Sequence, residues 1–313
     1  MGAMRKKHHG SDQIIMKKLL FLMNPNAGQR KVNKFLPEII ALFNSHGYEV
    51  TTFMTTGPGS GSEIVAQRAN DYELIVCAGG DGTLNETISG VLRAGSDCPI
   101  GYIPCGSTND FAATLKLSTD VMKAAKEIME GEPREYDVGK WGDRYFSYIA
   151  SFGAFTRVSY TTPQNLKNAL GHLAYVLSGI QELPQIRNIP MTLELDGEIV
   201  EGKYLFGAVS NSTSVGGVLT LNPKLVDLSD GKFEVMLVRM VKDPNELAEC
   251  VQALQNQTYD CASITFRSVS RLTVRQSPDV AWTLDGERAD GSETIEIENL
   301  HRAIRLVQRQ ENV

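Results

Sequence analysis

Leu74-Ile75-Val76-Cys77-Ala78-Gly79-Gly80-Asp81-Gly82-Thr83-Leu84-Asn85-Glu86 decides the fold. Five consecutive apolar residues without polar alternation mark a strand buried on both faces, as in a parallel sheet covered by helices. Gly79-Gly80 stops it, and Leu84, Ile88, Val91 and Leu92 then recur at helical spacing. The same strand–turn–helix unit stands on either side. Residues 19–23 are apolar throughout and end in the turn cluster Asn24-Pro25-Asn26-Ala27-Gly28. Leu36, Ile39, Ile40 and Phe43 follow at helical spacing as far as His46-Gly47. Residues 50–54 read as a strand, with a helix capped near Ser60 or Ser62 behind it. Residues 100–103 read as a strand closed by Pro104, with helices expected near 109–115 and 120–130. This alternation predicts an α/β region built on a doubly wound parallel sheet.

The pattern changes after about Asp137. Residues 145–152, 191–195, 199–209, 233–239, 263–266, 272–275 and 294–297 are strand-like. Asp196-Gly197 between two of them is a hairpin signal. Helices are expected over 163–183 and from the cap pair Asp243-Pro244 to Leu254. The second half is therefore read as a mostly antiparallel β domain. The division is 16–138 for the α/β domain and 139–299 for the β domain, with 300–313 packing back on the first. Residues 1–15 are polar and charged and read as a disordered extension ahead of Met16-Lys17-Lys18.

Composition limits the function. A formal net charge of −6 argues against general nucleic-acid binding, which needs a basic excess. No run approaches the length of a membrane-spanning helix, so a cytoplasmic protein is expected. The five cysteines are odd in number and lack a C-x-x-C pair, which fits free thiols in a reducing compartment.

The chemistry concentrates in three turns, each directly after a predicted parallel strand: 24–28, 79–86 and 104–111. Carboxyl ends of adjacent parallel strands are where open α/β sheets bind ligands. Glycines let backbone N–H groups reach phosphate oxygens, and helix N-termini favour anions. Neither G-x-x-x-x-G-K-[ST] nor G-x-G-x-x-G is present. Asp81 is the informative residue. A carboxylate inside a phosphate loop repels phosphate unless Mg²⁺ stands between them. The alternative is a cap for the helix it precedes, and the eight-residue string with its two companion loops favours the phosphate role.

The three segments resemble the signature of the diacylglycerol kinase catalytic-domain family, which includes sphingosine kinases and soluble bacterial lipid kinases. The resemblance runs from Met16 to the end of the chain. It implies an N-terminal sheet of the NAD-kinase/phosphofructokinase-like type, a C-terminal antiparallel β-sandwich, and ATP with Mg²⁺ in the cleft between them. On that likeness Gly79, Gly80, Asp81, Gly82 and Thr83 match the nucleotide loop, with Asp81 serving catalysis and metal. Asn24 matches the first loop, and Gly106, Ser107 and Asn109 the third. Thr55 or Thr56 falls where a threonine lines the adenine side, an ordinary polar strand end being the alternative.

The family's catalytic base lies in an L-D-G-E-like turn, and the tetrapeptide occurs here twice, at 195–198 and 284–287. The family's copy follows a D-G-x-F/L segment, matched by Asp230-Gly231-Lys232-Phe233, so the resemblance assigns the base to Glu287 and leaves 195–198 as a hairpin. Asp230 matches a structural metal site, or a plain Asp-Gly turn. Asp137 and Lys167 match an interdomain charge network, or are solvated surface charges. A lysine that some members carry after the first loop is Gln29 here, followed by Arg30 and Lys31.

The implied reaction is phosphoryl transfer from ATP to the hydroxyl of diacylglycerol. The alternatives are a kinase of another lipid alcohol (sphingosine-like or phosphatidylglycerol), a NAD-kinase-like small-molecule kinase, and a non-catalytic sensor. A lipid acceptor implies transient peripheral contact at the inner membrane face, with Arg5, Lys6, Lys7, Lys17, Lys18, Arg30 and Lys31 as the basic portion facing anionic lipid, or else as a solvated tail. A homodimer is the default assembly for such enzymes.

Overall fold

The computed structural model describes residues 16–107, 109–153, 188–215 and 219–309. The expected extension 1–15, the helix expected over 163–183 and Lys167 lie outside them. Four strands form the parallel sheet: β1 (Lys17–Met23), β2 (Tyr48–Met54), β3 (Leu74–Gly79) and β4 (Ile100–Pro104). Their order is β2-β1-β3-β4, all parallel. β1 and β3 are buried on both faces. Leu19, Phe21 and Met23 pack with Val32, Ile39 and Phe43 of α1 (Lys31–Ser45) and Ala124 and Ile128 of α5 (Val121–Glu130). Leu20 and Leu22 point to the other face, with Val65 of α2 (Ser60–Arg68) and Leu84, Ile88 and Val91 of α3 (Asp81–Arg93). Alternate residues of one apolar strand thus serve two helical layers. β2 closes the edge and is mostly exposed.

Between β4 and α5 lies the short α4 (Asp110–Thr114). The next strand, β5 (Glu132–Trp141), was not expected, because its first half is charged and exposed; it runs unbroken through the anticipated 138/139 boundary. The stretch expected as one strand over 145–152 is two, β6 (Arg144–Phe146) and β7 (Ile149–Gly153). Then come β8 (Ile189–Leu195), β9 (Glu198–Ser210), the short β10 (Ser214–Val215) and β11 (Leu219–Thr220), and β12 (Phe233–Arg239). α6 (Pro244–Asn256) follows, with the Asp243 side chain accepting the N–H groups of Asn245 and Glu246 as an N-cap. β13 (Ile264–Val269), β14 (Arg271–Gln276), β15 (Trp282–Leu284), β16 (Glu287–Ala289) and β17 (Thr294–Gln308) complete the chain. Neighbouring strands from β6 to β16 pair antiparallel, β10 and β11 as a separate two-stranded sheet and the others around a second core holding Trp141, Phe146, Phe152, Phe233, Leu272 and Trp282. Trp282 contacts Trp141 at 4.7 Å and Phe152 at 4.6 Å between ring centroids.

β17 is far longer than the expected 294–297. It pairs with β14, runs along β5, and meets β4 in parallel at Leu306 and Ile100. Its end therefore returns to the α/β layer and joins both sets of strands in one sheet path.

Candidate active site

The three glycine turns lie at the carboxyl ends of β1, β3 and β4 and touch through their backbones. Gly28 has φ +52°, and an added Cβ would stand 1.7 Å from the Cys105 carbonyl oxygen, so the first loop rests on the third. A Cβ on Gly106 would stand 2.5 Å from the Gly80 Cα, so the third loop rests on the second. Only residues without side chains allow these approaches. Asn24 donates its N–H to the Ala78 carbonyl at 2.9 Å, while its Oδ1 accepts the Asn26 N–H at 3.0 Å and folds the first turn. Asn109, at φ +54°, closes the third loop: Oδ1 accepts the Gly106 N–H at 2.9 Å and Nδ2 donates to the Gly106 carbonyl at 3.0 Å. Thr83 turns inward, since a Cβ on Gly79 would meet its Oγ1 at 2.2 Å. Ser107 is exposed.

Asp81 does not cap its own helix. Its Oδ2 and Oδ1 accept the N–H groups of Asp110 at 3.3 Å and Phe111 at 3.4 Å, at the start of α4. Burial raises its pKa, with those N–H groups opposing the shift. Asp110 stands beside it; burial first, then Asp81 and Asp285, push its carboxyl up to about 6. Two carboxylates thus crowd the glycine loops, a donor pair of the kind that suits a divalent ion.

Beyond the end of β2, Thr55 donates its N–H to the Met23 carbonyl at 2.9 Å, and Thr56 donates its own to Ser60 Oγ at 3.1 Å. Glu86 reaches across from α3 to accept the N–H groups of Gly59 at 2.7 Å and Gly61 at 2.9 Å, fixing that loop.

The two L-D-G-E turns have separated completely. Glu198 pairs with Arg267 at 2.9 Å, away from the glycine loops. Glu287 begins β16, and its Oε1 lies 3.4 Å from the position of a Cβ on Gly82. Asp285, in the same turn, is 6% exposed and accepts the N–H groups of Ser147, Tyr148 and Ile149 at 2.6, 3.0 and 3.1 Å. Asn85 Nδ2 adds a fourth bond at 2.8 Å and also donates to the Tyr145 carbonyl at 3.1 Å. These bonds break the expected 145–152 strand at Ser147-Tyr148 and tie the Glu287 turn to α3. Arg144 flanks Glu287 at 3.8 Å.

The remaining expected residues lie elsewhere. Asp230 is exposed and accepts the Lys232 N–H at 2.9 Å. Asp137 is fully buried, not a surface charge, and accepts the N–H groups of Gly231 at 2.6 Å and Arg302 at 2.7 Å. It pins the Asp230 turn to β17. Among the described residues no three His, Cys, Asp or Glu side chains gather as a chelating group on their own. A hollow of about 1120 Å³ is lined by Tyr136, Asp230 and Arg302 among others, and not by the glycine loops. Asp110, Asn85 and Arg144 were not singled out beforehand. Only the first two carried a signal, being inside the quoted loops.

Residues 18–141 match the family profile of the diacylglycerol kinase catalytic domain, and residues 149–308 match that of the YegS C-terminal NAD kinase beta sandwich-like domain. The chain is 33% identical over 298 residues to a diacylglycerol kinase of Bacillus subtilis (strain 168), covering 95% of this chain and 98% of that one. It is 36% identical over 225 residues to a diacylglycerol kinase of Staphylococcus carnosus (strain TM300), covering 71% and 73%. The crystal structure of a diacylglycerol kinase from Bacillus anthracis str. Sterne shares the fold, with a TM-score of 0.71 at 20% identity over 95% of this chain and 98% of that one. A glycine-loop sheet joined to a carboxylate-bearing β-sandwich, matched over nearly its whole length, places this chain in the diacylglycerol kinase catalytic-domain family.

Proposed function

We propose that the chain transfers the γ-phosphoryl group of ATP to the hydroxyl of diacylglycerol, giving phosphatidic acid. The observation that carries this reading is Glu287, whose carboxylate reaches Gly82 of the glycine loop from the other domain. The names of the curated relatives support the acceptor.

The loops at 24–28, 79–83 and 106–109 present backbone N–H groups and the N-terminus of α3 to the phosphates. Asp81 and Asp110 are the residues that would hold Mg²⁺, which when bound neutralises phosphate charge. Thr55 and Thr56 border the adenine side. Glu287 takes the proton of the lipid hydroxyl as the hydroxyl oxygen bonds to the γ-phosphorus and the bond from that phosphorus to the bridging oxygen breaks, releasing ADP; Asp285 and Asn85 hold the turn that delivers Glu287. Because its acceptor is a bilayer lipid, the enzyme works by peripheral contact at the inner membrane face. Lys17 and Lys18 at the start of β1, and Arg30 and Lys31 beyond its other end, are exposed cations, and either pair suits an anionic surface.

The test is [γ-³²P]ATP labelling of diacylglycerol, sphingosine and NAD by the protein and its variants. Diacylglycerol is expected to be labelled. Asp81→Ala and Glu287→Gln should each lose at least about 100-fold, general-base catalysis alone contributing roughly 10²–10⁴. Glu198→Gln should match the parent. Labelling of NAD alone overturns the lipid reading, and loss in Glu198→Gln with full activity in Glu287→Gln overturns the choice of base.

A further inference from the structure

Arg144, at the start of β6, makes two contacts with the Glu287 turn. Its Nη2 is 3.8 Å from Glu287 Oε2, and its Nη1 donates to the Arg288 carbonyl at 3.1 Å. One guanidinium therefore grips both the carboxylate and the main chain next to it. The opposite oxygen, Oε1, is the one that faces Gly82. The Glu287 carboxylate is thus held between a cation on one side and the nucleotide loop on the other.

That arrangement has an electrostatic consequence. A polyphosphate on the glycine loop repels a carboxylate placed against the same loop. Glu287 is 63% exposed and Arg144 40% exposed, so the carboxylate has room to swing away. The pair lies too far into solvent to matter much for folding. A planar guanidinium anchored by one hydrogen bond to the Arg288 carbonyl, with its charge 3.8 Å from the carboxylate, offsets the repulsion and restricts the carboxylate's swing. Trp141 and Arg144 are register partners in the β5–β6 hairpin, and Trp141 packs on Trp282 of β15, so the cation stands on rigid strands.

We propose that Arg144 is a positioning residue that holds the Glu287 carboxylate on the nucleotide loop against the repulsion of bound polyphosphate. The inference rests on Glu287 as the base, so the variants are chosen to separate the two. Arg144→Gln, Arg144→Lys, Glu287→Gln and the Arg144→Gln/Glu287→Gln double variant are compared with the parent. The readouts are kcat and KM for ATP with short-chain diacylglycerol in mixed micelles, and thermal unfolding.

Arg144→Gln should lower kcat by about 10–100-fold, the scale expected for a displaced catalytic group. Its KM for ATP should stay within about twofold and its melting temperature should not move. Arg144→Lys should recover part of the rate by restoring charge without the fork. In the Glu287→Gln background, Arg144→Gln should cause no further loss, because a residue acting only through Glu287 has nothing left to act on. A parental kcat in Arg144→Gln beside a slow Glu287→Gln overturns the inference. So does a loss confined to KM, or a further loss in the double variant, which would place Arg144 directly on nucleotide or lipid. Full activity in Glu287→Gln instead removes the base itself, a distinct pattern that takes the inference with it.

Discussion

Asp196-Gly197 and Asp285-Gly286 adopt the same left-handed turn, with φ of 46° and 94° in the first and 49° and 83° in the second. Both join two strands as a tight hairpin. Their surroundings give the two aspartates opposite electrostatics. Burial is the largest single influence on Asp196 and pushes its pKa up, but the backbone N–H groups of Ser270 and Arg271, the Ser270 hydroxyl and Lys232 together outweigh it, so its pKa falls. Burial pushes Asp285 up to about 6, against the pull of three N–H groups and the Asn85 amide. The signs differ accordingly. With its folded pKa above the unfolded 3.8, Asp285 stabilises fully below that value and loses its contribution as pH rises to about 6. Asp196 contributes above the ordinary carboxylate range and loses its share only as pH falls through it. Asp285→Asn would set an amide NH₂ against the donors of Ser147 and Asn85, at a cost of about 1–3 kcal/mol at pH 4.5. Urea unfolding should show that deficit shrinking at pH 7.5, whereas the smaller Asp196→Asn deficit should be equal at the two pH values. An Asp285→Asn deficit that grows with pH would contradict this assignment.

At the scale of elements, β12 carries a comparable tension. Glu234 is 2% exposed within it, its Oε2 has no partner, and burial first, then Asp230, push its carboxyl up to about 8. Its folded pKa is raised above the unfolded 4.5, so its contribution is lost as pH climbs from there to about 8. Glu234→Gln keeps the shape and removes the ionisation. It should stabilise the sandwich by about 1–3 kcal/mol at pH 8 and far less at pH 4.5, since each pKa unit is about 1.36 kcal/mol; equal effects at both pH values would refute the assignment. The elements themselves were legible to different degrees, for physical reasons. β1, β3 and β4 stand between helical layers, so burial on both faces writes an uninterrupted apolar run. β5 and the later part of β17 pair chiefly with each other at a charged surface, and their sequences carry no such run. The break between β6 and β7 was illegible because its cause, Asp285, lies about 140 residues away. The glycine loops were legible because close backbone approach demands glycine. The Asn85–Asp285 clamp and the Arg144–Glu287 pair depend on two distant segments meeting, which no local pattern records.

Taken as a whole, the molecule gathers negative charge where its proposed substrate is also negative. The chain carries a formal net charge of −6, and Asp81, Asp110, Asp285 and Glu287 converge on the loops from both domains. Burial and mutual repulsion hold Asp110 up to about 6. With its folded pKa raised above the unfolded 3.8, the fold without a cation loses stability as pH rises between those values. The divalent cation proposed to sit on Asp81 and Asp110 would reverse the balance, because it would bind the ionised carboxylates and have to displace their protons at lower pH. Added MgADP should therefore raise the melting temperature more at pH 7.5 than at pH 5.5. A ligand at 100 times its Kd stabilises by about 2.7 kcal/mol, which for a chain of this size corresponds to a shift of roughly 3–6 °C. Asp110→Asn removes one repelling charge, so without ligand it should melt above the parent at pH 7.5 and gain little from MgADP. Differential scanning fluorimetry across the two pH values decides the matter. If MgADP protects Asp110→Asn as strongly as the parent, Asp110 takes no part in holding the metal, and the strain in its carboxyl belongs to the fold alone.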